Sequence, residues 1–182
     1  TGGMGAVSPV DFADNEFMKK VEDYVIRRTV NGIKKEKLDY KGFIFAGLMN
    51  VNGEPHVIEY NVRMGDPETQ VVIPRIKNDL LNIFIKCLDE KINEVDLYIE
   101  NNFTTTVILA ADGYPESYKK GDDIRNLEEF SNSKIFHAGT KLNLGKLVSN
   151  GGRVFKITAS GKNFLNISNS IINLINQINW KH

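Results

Sequence analysis

In Val57-Ile58-Glu59-Tyr60-Asn61-Val62-Arg63 three polar side chains fall at every second position. Read as a strand, the segment puts Glu59, Asn61 and Arg63 on one face and Ile58, Tyr60 and Val62 on the other, because successive strand side chains alternate. A carboxylate and a carboxamide two residues apart offer hard oxygen donors. Mg2+ takes such donors at about 2.0–2.1 Å and commonly completes its shell with phosphate oxygens. Arg63 adds a planar fork suited to a carboxylate or a phosphate. A pair of oxygen ligands beside an anion clamp is what phosphoryl transfer needs, since that chemistry is mostly positioning and charge neutralisation. An isolated E-x-N-x-R also describes a solvated edge strand; the residues directly after Arg63 tip the balance toward function. Gly65-Asp66-Pro67-Glu68-Thr69-Gln70 sets two carboxylates and an amide in a loop at the end of the row, and polar loops at strand ends are common binding loops.

A second small-residue segment, Thr1-Gly2-Gly3-Met4-Gly5, reads as a loop whose backbone N–H groups can approach an anion, or else as a flexible end. The remaining candidates read as structural. His137 lies beside strand-like apolar residues, His56 and His182 have no partner signal, and Cys87 sits among apolar helix positions. Gly151-Gly152 reads as a hairpin turn, because no helix start comes after it.

The elements that must position these residues follow from periodicity. Apolar residues at helical spacing (Phe17, Val21, Tyr24, Val25, Ile33) predict a helix over residues 15–35 with Asp14 as its N-cap. Residues 42–51 are a nearly continuous apolar run, which predicts a strand buried on both faces. Asn52-Gly53 predicts a two-residue hairpin turn, with the return strand over 56–63. Leu80, Leu81, Phe84, Ile85 and Leu88 predict an amphipathic helix over 77–91. Beyond Glu100 the texture changes to short strands over 103–110, 134–138, 146–149 and 153–159, closed by a helix over 164–178. A domain boundary is therefore expected near residue 100.

The composition excludes several classes. Of 182 residues 41% are hydrophobic and 25% charged, as in a globular protein. Lys+Arg and Asp+Glu both number 23, so no electrostatic footprint for nucleic acid or an anionic membrane exists. The single cysteine allows no internal disulfide and no thiolate metal site, and favours a reducing compartment, the cytoplasm. No apolar run approaches the roughly 20 residues of a membrane span, and Thr1-Gly2-Gly3-Met4-Gly5 does not read as a targeting sequence.

NVRMGDPETQ resembles the N-x-R-x-G-D-P-E-T-Q signature of the phosphoribosylamine–glycine ligase (glycinamide ribonucleotide synthetase) family of the ATP-grasp superfamily. The resemblance covers essentially the whole chain. TGGMGAVSP is similar to the family's TGGMGAYSP, with Val7 where the family usually has Tyr. GFIFAGLM is similar to G-F-L-Y-A-G-L-M and VIEYN to V-I-E-F-N, while FHAGT and NGGRVFKITASG match the C-terminal domain's motifs.

The resemblance implies an α+β fold: the C-terminal half of an ATP-grasp domain (antiparallel sheet with helices) over residues 1–100, then a small, mostly β C-terminal domain with a closing helix over 101–182, incomplete at its end. It implies Glu59 and Asn61 as ligands of Mg2+ (or Mn2+) and ATP as co-substrate. Arg63 and Asp66 become candidates for holding glycine, its acyl phosphate or the amine. Pro67 would shape that loop, and Gly3, Met4, Gly5 and Ser8 would face substrate. The implied partners are ATP, glycine, 5-phosphoribosylamine and the missing N-terminal part of the same enzyme; family members also continue past this C-terminus. The chain alone is accordingly expected not to turn over ATP. Two other readings stay open: another ATP-grasp carboxylate–amine ligase, and a non-catalytic ligand-binding domain of that fold.

Overall fold

The structure is a computed structural model that describes residues 2–127 and 133–180. Thr1 of the glycine-rich segment and the terminal Lys181 and His182 lie outside the described residues. The chain forms two compact units, one built from Pro9–Gly65 and Lys77–Tyr98, the other from Thr1–Ser8, Asp66–Ile76 and Ile99–His182. A single cut near Glu100 follows the change in sequence texture; packing instead gathers the glycine-rich segment and the GDPETQ loop with the later strands.

In the first unit, which we call the hairpin unit, Asp14 Oδ1 accepts from the Phe17 N–H at 2.8 Å and starts α1 (Asn15–Val21). A π-helical turn, Glu22–Ile26, carries the helix on into α2 (Arg27–Lys35), so the predicted extent is found. Phe17, Val21 and Val25 are buried. Tyr24, expected on that face, is exposed with the Arg28 guanidinium 5.3 Å from its ring centre. Residues 24 and 25 are about 100° apart on a helix, and Val25 takes the inward position.

Strands β2 (Phe45–Val51) and β3 (Glu54–Asn61) pair antiparallel through Asn52-Gly53, whose φ values of 53° and 83° are those of a primed hairpin turn. Two expectations are corrected. β2 is half-buried to exposed and not buried on both faces, because it belongs to a sheet of two strands among the described residues. β3 stops at Asn61, so Arg63 lies beyond the ladder. α4 (Leu80–Leu88), capped by Asp79 Oδ1 on the Leu81 N–H at 2.8 Å, is shorter than predicted. Lys41 Nζ closes its other end, 3.1 Å from the Leu88 carbonyl and 2.9 Å from Glu90, where a cation suits the helix dipole.

The second unit, the sheet unit, has a four-stranded antiparallel sheet in the order β1-β4-β9-β6. Its strands are β1 (Gly5–Ser8), β4 (Phe103–Ala110), β6 (Ser133–His137) and the central β9 (Arg153–Gly161). The predicted loop at the start of the chain is thus in part a strand, held by pairing of Gly5 to Ser8 with Val107 to Thr104. Two ribbons complete the β structure: β5 (Ile124–Arg125) with β10 (Asn179–Trp180), and β7 (Thr140–Asn143) with β8 (Lys146–Ser149).

On one face of β9, Ile157 and Ala159 meet Ile167, Ile171 and Leu174 of α5 (Phe164–Gln177), which Asn163 caps. Spacing of i, i+4 and i+7 makes one stripe of the helix, and each fully buried aliphatic side chain contributes about 1.5–3 kcal/mol. A second cluster gathers Val154, Phe155, Ala111, Ile124 and Trp180. The segment after the GDPETQ loop, α3 (Thr69–Val72), packs against β1 and β4, with Val71 buried. No helix among the described residues is long and apolar enough to cross a membrane.

Candidate active site

The hairpin unit positions Glu59, Asn61 and Arg63. Gly47 pairs with Glu59 and Leu48 with Val57, which leaves Ile58 as an extra residue, a β-bulge immediately before the carboxylate. A Cβ on Gly47 would lie 3.0 Å from Glu59 Cγ, so the glycine makes room for the side chain. Asn61 Nδ2 donates to Glu59 Oε1 at 3.1 Å, which places the two on one face as alternation predicts. Tyr60 points the other way, its hydroxyl 2.9 Å from Thr29 Oγ1 on α2. Arg63 leaves the row: it sits in the bend after the strand, and its Nη1 donates to the Met64 carbonyl at 3.0 Å.

Among the described residues no group of three or more His, Cys, Asp or Glu could enclose a metal. Glu59 and Asn61 thus offer two hard oxygen ligands and not a cage. That donor set fits Mg2+, which usually keeps waters and substrate phosphates in its shell.

The sheet unit positions the other predicted residues. Gly3 lies against the GDPETQ loop: a Cβ there would fall 2.5 Å from Pro67 Cδ and 3.2 Å from the Asp66 carbonyl oxygen. Pro67 is buried. The Met4 carbonyl accepts from the Ile108 N–H at 3.0 Å while its side chain stays exposed. Gly5 pairs with Val107. Ser8 Oγ accepts from Arg75 Nη1 at 2.5 Å, and Arg75 Nε donates to the Glu100 carbonyl at 3.2 Å.

Asp66 is held by two cations that sequence reasoning missed. Lys156 Nζ bonds its Oδ1, and Arg153 Nη2 reaches its Oδ2 at 3.1 Å. Arg153 Nη1 also donates to the Gly3 carbonyl at 3.0 Å. Arg153 and Lys156 are three apart, which in a regular strand means opposite faces. Here Leu109 pairs with Phe155 and Ala110 with Arg153, so Val154 is an extra residue and the bulge turns both cations to one side.

The HAGT and NGG segments brace that bend. The Ala138 and Gly139 N–H groups donate to the Val154 and Arg153 carbonyls at 3.0 and 2.9 Å, and the Asn150 N–H donates to the Gly139 carbonyl at 2.7 Å. His137, read from the sequence as structural, has Nδ1 3.0 Å from Thr140 Oγ1 and its ring meets Phe155 edge-on.

Residues 1–69 match the family model described as "Phosphoribosylglycinamide synthetase, ATP-grasp (A) domain". With the Glu59–Asn61 hairpin, this defines the chain as part of an ATP-grasp protein. The fold of the biotin carboxylase domain of Hydrogenobacter thermophilus 2-oxoglutarate carboxylase is similar, with a TM-score of 0.69 at 13% identity over 98% of this chain and 39% of that one.

Residues 104–182 match the model of the C domain of the same synthetase, and the chain belongs to the phosphoribosylglycinamide synthetase family. It is 43% identical to a phosphoribosylamine–glycine ligase of Haemophilus influenzae over 99% of its own length and 43% of the relative's. It is also similar to the crystal structure of phosphoribosylamine–glycine ligase from Thermotoga maritima, with a TM-score of 0.85, 34% identity, and coverage of 100% of this chain and 44% of that one. The chain therefore spans less than half the length of these relatives.

Proposed function

We propose that this chain belongs to a phosphoribosylamine–glycine ligase of purine biosynthesis, acting in the cytoplasm with ATP, glycine and 5-phosphoribosylamine. In that reaction a glycine carboxylate oxygen attacks the γ-phosphorus of ATP and ADP leaves. The phosphoribosylamine nitrogen then attacks the acyl carbon of glycyl phosphate. Loss of phosphate and of one nitrogen proton gives glycinamide ribonucleotide.

The observation that carries the reading is the paired Glu59 and Asn61 on one strand face, in a chain matched by both domain models of one synthetase. Glu59 and Asn61 would hold Mg2+ or Mn2+, which when bound neutralises charge developing on the transferred phosphoryl group. Arg63 would orient an anionic carboxylate, since among the described residues its guanidinium donates to the neighbouring Met64 carbonyl and most of the fork stays open. Asp66 and Pro67 would shape the substrate loop, and Gly3, Met4, Gly5 and Ser8 the segment beside it.

The test uses the complete ligase. ADP release is expected to require both glycine and phosphoribosylamine, with neither bicarbonate nor D-alanine substituting. Glu59→Ala should lower metal-dependent turnover on the order of 100-fold, since such a ligand supports several kcal/mol of transition-state stabilisation. Unchanged activity in a folded Glu59→Ala enzyme would remove Glu59 from the metal site.

A further inference from the structure

We propose that Tyr60 and Thr29 are positioning residues for the Glu59–Asn61 pair, brought together by the π-helical turn that joins α1 to α2. This role rests on the metal assignment proposed above; the clasp itself belongs to the geometry of the hairpin unit.

The pair stands where its own ladder holds it least. Ile58, directly before Glu59, is the extra residue of the bulge, and β2 and β3 form a sheet of two strands among the described residues. In such a ribbon a slip of one residue would carry both side chains to the opposite face. Tyr60 lies between them in sequence and bonds α2 on the far side of the strand. With Tyr60 fastened on one face, alternation keeps Glu59 and Asn61 on the other.

The fastening is a chain of two hydrogen bonds. Thr29 Oγ1 donates to the Val25 carbonyl at 2.8 Å and lies 2.9 Å from the Tyr60 hydroxyl. A threonine hydroxyl has a single proton, so with that proton on Val25 it is the Tyr60 O–H that donates to Thr29. Val25 is 4% exposed, and the chain of bonds therefore ends on backbone rooted in the buried side of the helix. A second fastening holds the start of β3, where Lys20 Nζ meets the Gly53 carbonyl at 3.1 Å and Glu54 Oε1 at 2.7 Å. The bulge lies between the two points.

Both fastenings come from one continuous helix, and a regular helix would not supply them. Lys20 and Thr29 are nine residues apart, which on an α-helix puts them about 180° apart, on opposite sides. In Glu22–Ile26 the helix departs from that geometry, and the Arg27 N–H donates to the Glu22 carbonyl five residues back. Such a turn takes up one residue more than an α turn, which swings Thr29 by about 100° toward the Lys20 side. Single π turns inside α-helices are frequent at functional sites. This one lets a single helix grip β3 on both sides of its bulge.

The test titrates Mn2+ into the complete ligase and follows it by electron paramagnetic resonance. Tyr60→Phe and Thr29→Val each remove a hydroxyl and keep the shape, and each should weaken Mn2+ binding by about three- to tenfold. The double variant should bind no more weakly than the weaker single one, because both changes break the same link. Thr29→Ser, which keeps the hydroxyl, should bind as wild type does. A bond that only stabilised the fold would lower Tm and leave the Mn2+ affinity of the folded enzyme alone. Wild-type affinity in both folded single variants, or losses that add in the double variant, would overturn the positioning role.

Glu59→Ala separates the two levels. If it binds Mn2+ as wild type does, the metal assignment fails and the positioning role goes with it. If it loses Mn2+ while Tyr60→Phe and Thr29→Val keep it, the metal pair stands and the clasp serves only to fasten the hairpin.

Discussion

Asn61 donates its amide N–H to Glu59 Oε1, which leaves Asn61 Oδ1 and Glu59 Oε2 as oxygens outside that bond. In the metal site proposed above, the pair would be aligned before a cation arrives, and Gly47 across the ladder sets how much room it has. Gly47→Ala should crowd Glu59 Cγ and weaken Mg2+ binding by about tenfold, the lower end for groups that orient a metal ligand. A Mn2+ titration followed by electron paramagnetic resonance checks this. An affinity equal to wild type would mean that the side chain moves aside freely. Arg63 shows the limit of reasoning from alternation, since the row stops with the strand at Asn61 and the arginine side chain turns back to Met64.

At the scale of elements, much of the fold was legible and the reasons are particular. The capped helix at Asp14, the Asn52-Gly53 turn and the stripe Ile167, Ile171 and Leu174 each depend on residues a few positions apart, which a sequence displays directly. The pair Arg153 and Lys156 was hidden twice. Their spacing of three reads as opposite faces until the bulge at Val154 is known, and their partner Asp66 lies almost 90 residues earlier. β1 was hidden because it is only four residues long, Gly5 to Ser8, and follows directly on a glycine-rich run; pairing with β4 fixes its conformation.

The brace of α4 by Lys41 carries a prediction at this scale. The hydrogen bond from Lys41, and then its charge, hold the Glu90 carboxyl below its ordinary value, and Glu90 in return raises Lys41. A carboxyl lowered in the folded state contributes stability above its unfolded value near 4.5, lost as pH falls through the folded value. A lysine raised in the folded state contributes below 10.5 and loses that contribution as pH rises further. The pair thus acts between those limits, weakly, because it is solvent-exposed. Glu90→Gln should lower Tm slightly at pH 7 and approach wild type as pH falls below the lowered carboxyl value, a convergence that thermal scans from pH 7 into the acid range read out. A constant difference at every pH would mean that the carboxylate charge is not the cause.

The whole molecule rests its sheet unit on β9, which pairs with β4 on one side and β6 on the other and packs on α5. Leu174→Ala, at a position with no exposed surface, should destabilise that unit by about 2–5 kcal/mol through lost burial and the cavity left behind. Chemical denaturation followed by Trp180 fluorescence measures it, since Trp180 belongs to the same unit. A loss well under 1 kcal/mol would show that the stripe repacks around the missing atoms.

Because that unit draws on three separated stretches of chain, its order of appearance at the ribosome matters. Residues 9–65 and 77–98 are all synthesised before β4 begins, whereas Gly3, Asp66 and Pro67 must wait for strands that emerge after residue 103, and Asp66 meets its two cations only after residue 156. Assembly of so non-local a unit is intrinsically late. A nascent chain arrested at residue 150 therefore already contains every residue of the Glu59–Asn61 hairpin but leaves the GDPETQ loop without the arginine and lysine that anchor it, so ribosome-bound intermediates should present that loop as the last protease-sensitive segment to become protected.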